Sequence, residues 1–323
     1  MTENAGLESL SLEDELRDFE SELARELRSD VGFISAIGDD LVRAGGKRVR
    51  PTLALLTGRL LNAAPAVSRQ VALAVELLHS ASLLHDDLID DATTRRGEQA
   101  AFLRYGNVVS VMSGDFMLAR VLGLLARGGN RELTGLMAEA AAALCEGEVL
   151  QFQSATLKEW SYDSYARVND GKTASLMAAA TEGVGALTGA TARVRSALRD
   201  FGMAYGRAFQ LRDDYLDLLG DPELLGKPVG GDLREGKATY LALRLILDEG
   251  SEEARLIVSR HASEPGDVER MIELARAHGA DAAMRDLISR EVEAARAALA
   301  SFPVSTARET LEDLADQELR RVA

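Results

Sequence analysis

A chain of 323 residues is long enough to bury a large core, and length alone permits one or two domains. Its formal charge of −15, from 37 basic and 52 acidic residues, lacks the basic footprint that nucleic acid requires and argues against simple attraction to anionic lipid headgroups. With 46% hydrophobic residues, abundant Ala, Leu, Glu and Arg, six prolines and no sustained strand-like alternation, the composition predicts an all-α fold.

The first ten residues carry no helical pattern and read as frayed. Ser11 to Arg28 places Leu16, Phe19, Leu23 and Leu27 at helical spacing among acids, which predicts an amphipathic arm over residues 1–30 that serves packing or an oligomer contact. RAGGKRVRP follows at Arg43–Pro51. Its paired glycines permit a tight turn, Lys47, Arg48 and Arg50 come next, and Pro51 suits the first turn of a helix. Three cations before a helix N-terminus suit a phosphate, although an isolated basic turn is more often plain surface.

No Gly or Pro interrupts Gln70 to Asp91, and this predicted helix ends in LLHDDLIDD. Asp86 and Asp90 lie four apart and share a face; Asp87 and Asp91 form a second such pair. Acids this dense repel one another unless a cation sits among them, and Mg²⁺ uses one or two carboxylates with water and phosphate oxygens. Alone the cluster also fits a solvated acidic helix end. Arg95 and Arg96 follow within a turn, placed to neutralise the acids or to grip phosphate.

Tyr105 to Arg120 reads as an apolar helix with Gly114 in mid-run, explained best by close helix packing. The alanine-rich helix after it carries the single cysteine, Cys145, which cannot form an intramolecular disulfide and fits a reducing cytoplasm. Lys172 and Thr173 follow a turn-like break at Asn169–Gly171 that bends one helix or separates two. Gln210 to Asp221, QLRDDYLDLLGD, repeats the aspartate spacing with Asp213, Asp214 and Asp217 about 120 residues after the first cluster. The pair predicts two helices facing one another across a cavity, with several Mg²⁺ ions on one polyphosphate. GKPVGGDLREGK at 226–237 is glycine-rich, argues against regular structure, and reads as a mobile lid that carries Lys227 and Lys237 onto phosphate. Helices without evident chemistry complete the chain. No repeat, linker, signal peptide or bilayer-spanning apolar run is apparent, so residues 1–323 are expected to form one soluble, cytoplasmic domain with at most peripheral membrane contact.

Taken in order, GGKRVRP, VELLHSASLLHDDLIDDATTRRG, GDFMLAR, GKTASL, QLRDDYLD and GKPVGGDLREGK resemble the trans-polyprenyl diphosphate synthase family over about Gly45 to Leu243. The resemblance implies the isoprenoid synthase fold, a mostly antiparallel helix bundle around a deep central cavity, a homodimer, and Mg²⁺, three ions with substrate bound. It makes Asp86, Asp90 and Asp213 metal ligands supported by Asp87, Asp214 and Asp217. Gly46, Lys47, Arg50, His79 and Arg96 match the isopentenyl diphosphate site; Arg95, Lys172, Thr173, Gln210, Lys227 and Lys237 match residues around the allylic diphosphate. The implied reaction loses diphosphate from the allylic substrate, joins the resulting cation head to tail to isopentenyl diphosphate, and eliminates a proton. Two residues depart from the family's pattern: Arg212, where an apolar residue is usual, and Gly231, where a polar one is.

Ala81 and Ser82, five and four residues before Asp86, are small where a bulky aromatic stops chain growth in this family. Leu77, Leu78 and Ala74 lie a turn or two deeper, and each helical turn of about 5.4 Å corresponds to one isoprene unit. A long product of seven to ten units, as in quinone side chains, is expected, with geranylgeranyl or farnesyl diphosphate as the runner-up. A terpene cyclase or head-to-head synthase would not need the second diphosphate site. An inactive regulatory subunit would be free to lose aspartates that are all present here.

Overall fold

The computed structural model describes residues 11–89, 94–95, 98–225 and 228–322, with the side chains of Thr94, Arg95 and Glu98 outside that set. Asp90, Arg95 as a side chain, Arg96 and Lys227 therefore lie outside the described residues, as do residues 1–10. The chain divides into two compact units, Met1–Thr134 and Gly135–Ala323.

The first unit contains α1 (Leu12–Glu26), α2 (Gly32–Arg43), α3 (Val49–Leu60), α4 (Pro65–Ile89), α5 (Ala101–Tyr105) and α6 (Asn107–Gly128). Thr94–Arg95 and Glu98–Gln99 pair as two antiparallel two-residue strands, a small exception in an otherwise helical fold. Ser11 caps α1 reciprocally with Asp14, and Phe19, Leu23 and Leu27 are buried. The helix packs against α3 and α4. The axis of the unit is α4, whose residues from Val71 to Leu78 are all buried, so its apolar run has neighbours on every side.

Helix α6 packs on α4, and Gly114 explains how. A Cβ there would lie 2.3 Å from His85 Nε2, so glycine leaves room for this ring between the helices and any larger residue would displace it. By length and composition alone α6 could cross a membrane. Ser110, Ser113, Gly114, Met117, Val121, Leu124 and Leu125 of α6 are nevertheless buried.

The second unit contains α7 (Arg131–Leu157) from Gly135 onward, α8 (Tyr162–Asn169), a π-helical turn (Asp170–Ala174), α9 (Ser175–Leu187) and α10 (Ala192–Leu219). Short helices α11 (Pro222–Leu225), α12 (Gly231–Arg234) and α13 (Tyr240–Leu243) follow, then a second π-helical turn (Arg244–Asp248). The unit ends with α14 (Glu252–Ser259), α15 (Asp267–Ala277), α16 (Ala280–Leu299) and α17 (Thr306–Arg320). At its centre lies α10, in contact with α9, α16 and α17. Gly202 and Gly206, four apart, let α9 approach closely: a Cβ at either would sit 2.5 Å from the Cα of Ala178 or Ala174.

Candidate active site

The basic loop before α3 separates its cations. Arg48 takes a left-handed backbone (φ 46°), and its guanidinium bonds Glu20 of α1 and Glu76 of α4, at 2.6 Å for the latter. Both its own side chain and that of Glu76 are nearly inaccessible, so Arg48 ties three helices together and is no candidate for phosphate. This corrects the three-cation reading. Lys47 remains exposed, Arg50 is buried in the first turn of α3, and His79 is half-buried on α4. Gly46 holds an unusual φ of 159° in the loop that presents them.

On α4, Asp86 is half-buried and Asp87 buried, where it lines a cavity with Asp40, Leu84 and Arg104. Ala81 and Leu77 are fully buried, whereas Ser82 is half-buried and donates to the His79 carbonyl at 2.9 Å.

In the second unit a connected set of bonds surrounds the other motif. The break at Asn169–Gly171 is resolved as a π-helical turn, the one-residue widening often found at functional sites. Gly171 is required there, since a Cβ would meet the Ala143 carbonyl oxygen at 2.4 Å. The turn carries Lys172 and Thr173. Lys172 Nζ lies 2.6 Å from both Gln151 Oε1 and Glu148 Oε2. Thr173 donates to Gln210 Oε1 at 2.8 Å, which is possible because Gly206, one turn earlier, brings α9 and α10 together. Gln210 in turn donates to Asp214 Oδ1 at 2.7 Å, and Tyr165 of α8 donates to Asp214 Oδ2 at 2.6 Å.

Asp214 is thus a buried carboxylate held at both oxygens. Burial pushes its carboxyl up to about 7, with Asp213 and Asp217 adding to the rise and the bonds from Tyr165 and Gln210 opposing it. Tyr165 is pushed well up by burial and by the Asp214 charge. Asp213 differs: its side chain is 40% exposed, with one oxygen 2.7 Å from Arg212. Asp217 faces the glycine-rich segment, accepting from the backbone N–H of Asp232 at 3.0 Å while its own carbonyl accepts from Gly230 N–H.

These bonds explain a second correction. The described part of the predicted irregular loop contains a helical turn, α12, started by Gly230 in the left-handed region and capped from outside by Asp217. Asp232 is drawn near Asp214 and Asp217; burial, then those two charges, raise its carboxyl well above the ordinary range, and Lys237 opposes them. Lys237 also pairs with Glu235.

Sequence reading missed Tyr165, Asp232, Glu20 and Glu76 as partners of this machinery. Asp232 sits inside the quoted GGDLREGK and was within reach; nothing in SYDSYARVND marks Tyr165. Among the described residues no three His, Cys, Asp or Glu side chains converge on one point. Asp86 and Asp213, both partly open, offer hard oxygen donors of the kind that Mg²⁺ takes together with water and phosphate oxygens.

The polyprenyl synthetase family model matches residues 32–275. The octaprenyl diphosphate synthase of Escherichia coli K12 is 37% identical over 303 residues, 93% of either chain. A short chain isoprenyl diphosphate synthase of Methanothermobacter thermautotrophicus is 34% identical over 308 residues, 93% of this chain and 94% of its own. Among solved structures, a polyprenyl synthase of Caulobacter crescentus CB15, complexed with calcium and isoprenyl diphosphate, superposes with a TM-score of 0.90 at 38% identity, covering 98% of this chain and 100% of that one. With a family match across three quarters of its length and a relative 37% identical over 93% of either chain, the chain belongs to the polyprenyl synthetase family of prenyl-transferring enzymes.

Proposed function

We propose that the chain condenses isopentenyl diphosphate head to tail with an allylic diphosphate, in a Mg²⁺-dependent reaction, to give a long all-trans polyprenyl diphosphate. The observation that carries the long-chain reading is the pair of small residues, Ala81 and Ser82, one turn before Asp86, with Leu77 and Ala74 below them. The similarity to an octaprenyl diphosphate synthase agrees with it. The equally extensive similarity to a short chain synthase keeps a shorter product as the second reading.

In this reading Asp86, Asp90 and Asp213 bind the metal, and the Thr173–Gln210–Asp214–Tyr165 set fixes the backbone of the second motif. Bound Mg²⁺ would neutralise charge on the departing diphosphate. Lys172, Lys227, Lys237 and Arg95 add cationic stabilisation at the same group. Lys47, Arg50, His79 and Arg96 hold the second diphosphate so that its double bond meets the allylic cation. Apolar walls exclude water that would quench that cation, and the released diphosphate accepts the proton. Residues 226–237 act as a lid over this chemistry, and the whole of 1–323 serves one site.

The same reading includes a homodimer and a cytoplasmic location. Support for a dimer comes from apolar side chains left exposed on single faces: Val108, Met112 and Leu122 on α6, and Val149 and Phe152 on α7. The test is a product-length assay with farnesyl diphosphate, labelled isopentenyl diphosphate and Mg²⁺, with an EDTA control. Metal-dependent products longer than thirty carbons support the proposal; termination at twenty carbons supports the short-chain reading. No consumption of isopentenyl diphosphate from any primer would refute both.

A further inference from the structure

Arg212 is the largest of the fully buried side chains among the described residues, and it stands directly before the Asp213–Asp214 pair. One guanidinium nitrogen, Nη2, is 2.7 Å from Asp213 Oδ1; the other, Nη1, is 2.9 Å from Glu318 Oε2 on α17. The Tyr205 hydroxyl donates to the remaining oxygen, Glu318 Oε1, at 3.1 Å, and the guanidinium carbon lies 4.5 Å from the centre of the Phe209 ring. Glu318 is itself buried.

A guanidinium taken wholly out of water is costly unless its charge is matched. Here Glu318 supplies the match from within the core, so Asp213 need not. The trio Arg212, Glu318 and Asp213 carries one formal negative charge, and that charge is left on the single member with an open face. The nitrogens make no well-aligned hydrogen bond among the described residues, so the contacts are chiefly coulombic and the balance of charge decides their effect.

We propose that Arg212 is a positioning residue for Asp213 and that Glu318 keeps it from neutralising that carboxylate, so that α17 sets how tightly the second aspartate motif takes up a divalent cation. The proposal rests on the reading of Asp213 as a metal ligand. It assigns work to a residue outside the quoted motifs, contributed by a helix about a hundred positions further along the chain.

Outer contacts of this kind change metal affinity by about 10- to 100-fold when removed. Glu318→Gln keeps the volume and the Tyr205 contact but leaves the full Arg212 charge against Asp213. Two readouts are needed: the Mg²⁺ concentration for half-maximal turnover, and the rise in melting temperature produced by MgCl₂ with inorganic diphosphate. Glu318→Gln is expected to raise the Mg²⁺ requirement about tenfold and to cut the ligand-induced rise, with the KM for isopentenyl diphosphate unchanged. The double variant Arg212→Leu/Glu318→Leu removes the buried charges together and keeps the core apolar should the single variant fold poorly. It is expected to raise the Mg²⁺ requirement as well, but less than Glu318→Gln does, because the charge of Asp213 is kept and only its anchor is lost. Wild-type Mg²⁺ affinity in either variant overturns the inference alone. A wild-type protein whose turnover and melting ignore Mg²⁺ overturns the metal-ligand reading and the inference with it.

Discussion

Tyr165→Phe offers a sharp test of the buried set around Asp214, because its effect has to depend on pH. Asp214 has an ordinary value of 3.8 when exposed and is pushed up to about 7 in the fold. In that window the folded state holds a proton that the unfolded state has released. Wild-type stability therefore falls as pH rises from about 4 to about 7, by about 4 kcal/mol from this group, and is level above that. Removing the Tyr165 hydroxyl deletes a donor to the charged form. A bond to a charged group is worth about 1.5–3 kcal/mol, against about 0.5–1.5 kcal/mol when both partners are neutral.

The substitution is thus expected to cost about 1 kcal/mol more at pH 9 than at pH 5.5, equivalent to moving Asp214 up by about one further pH unit. Chemical denaturation of both proteins in EDTA at the two pH values measures this. Comparing the two proteins cancels the titrating groups remote from this set, whereas Asp232, which feels the Asp214 charge, moves with it. An equal loss at both pH values would show that the Tyr165 hydroxyl does not stabilise the Asp214 charge.

The remaining expectations follow from single contacts. Arg48→Met should destabilise the protein by about 3–5 kcal/mol because Glu76 keeps a buried charge without its partner, and Arg48→Met/Glu76→Leu should recover much of that; no recovery in a thermal melt refutes the pairing. Ser82→Phe should shorten the product with little change in melting temperature, since Ser82 is half-buried, while Ala81→Phe should cost about 1–3 kcal/mol by overpacking a closed site; unchanged product length in both removes this wall from the tunnel. Gly171→Ala should lower turnover by displacing Lys172 and Thr173, because its Cβ would strike the Ala143 carbonyl; full activity with an intact melt would show that the π-helical turn has no role.

The helical class, the two aspartate motifs and the glycine-rich segment were legible because each rests on local spacing. Carboxylates four apart share a helix face wherever that helix is placed, and glycines 45–46 permit a turn whatever surrounds them. The chain by itself thus determined the fold class and the families of donors available for diphosphate. Which of those donors are free for it was decided only by tertiary structure. Arg48 is drawn inward by Glu20 and Glu76, and α12 forms because Asp217 caps it from a different helix. Asp213 and Asp214, adjacent in sequence, take opposite roles because one meets Arg212 at an open face and the other is buried between Gln210 and Tyr165. Charge and burial depend on partners dozens to a hundred residues distant, and no local spacing encodes those meetings.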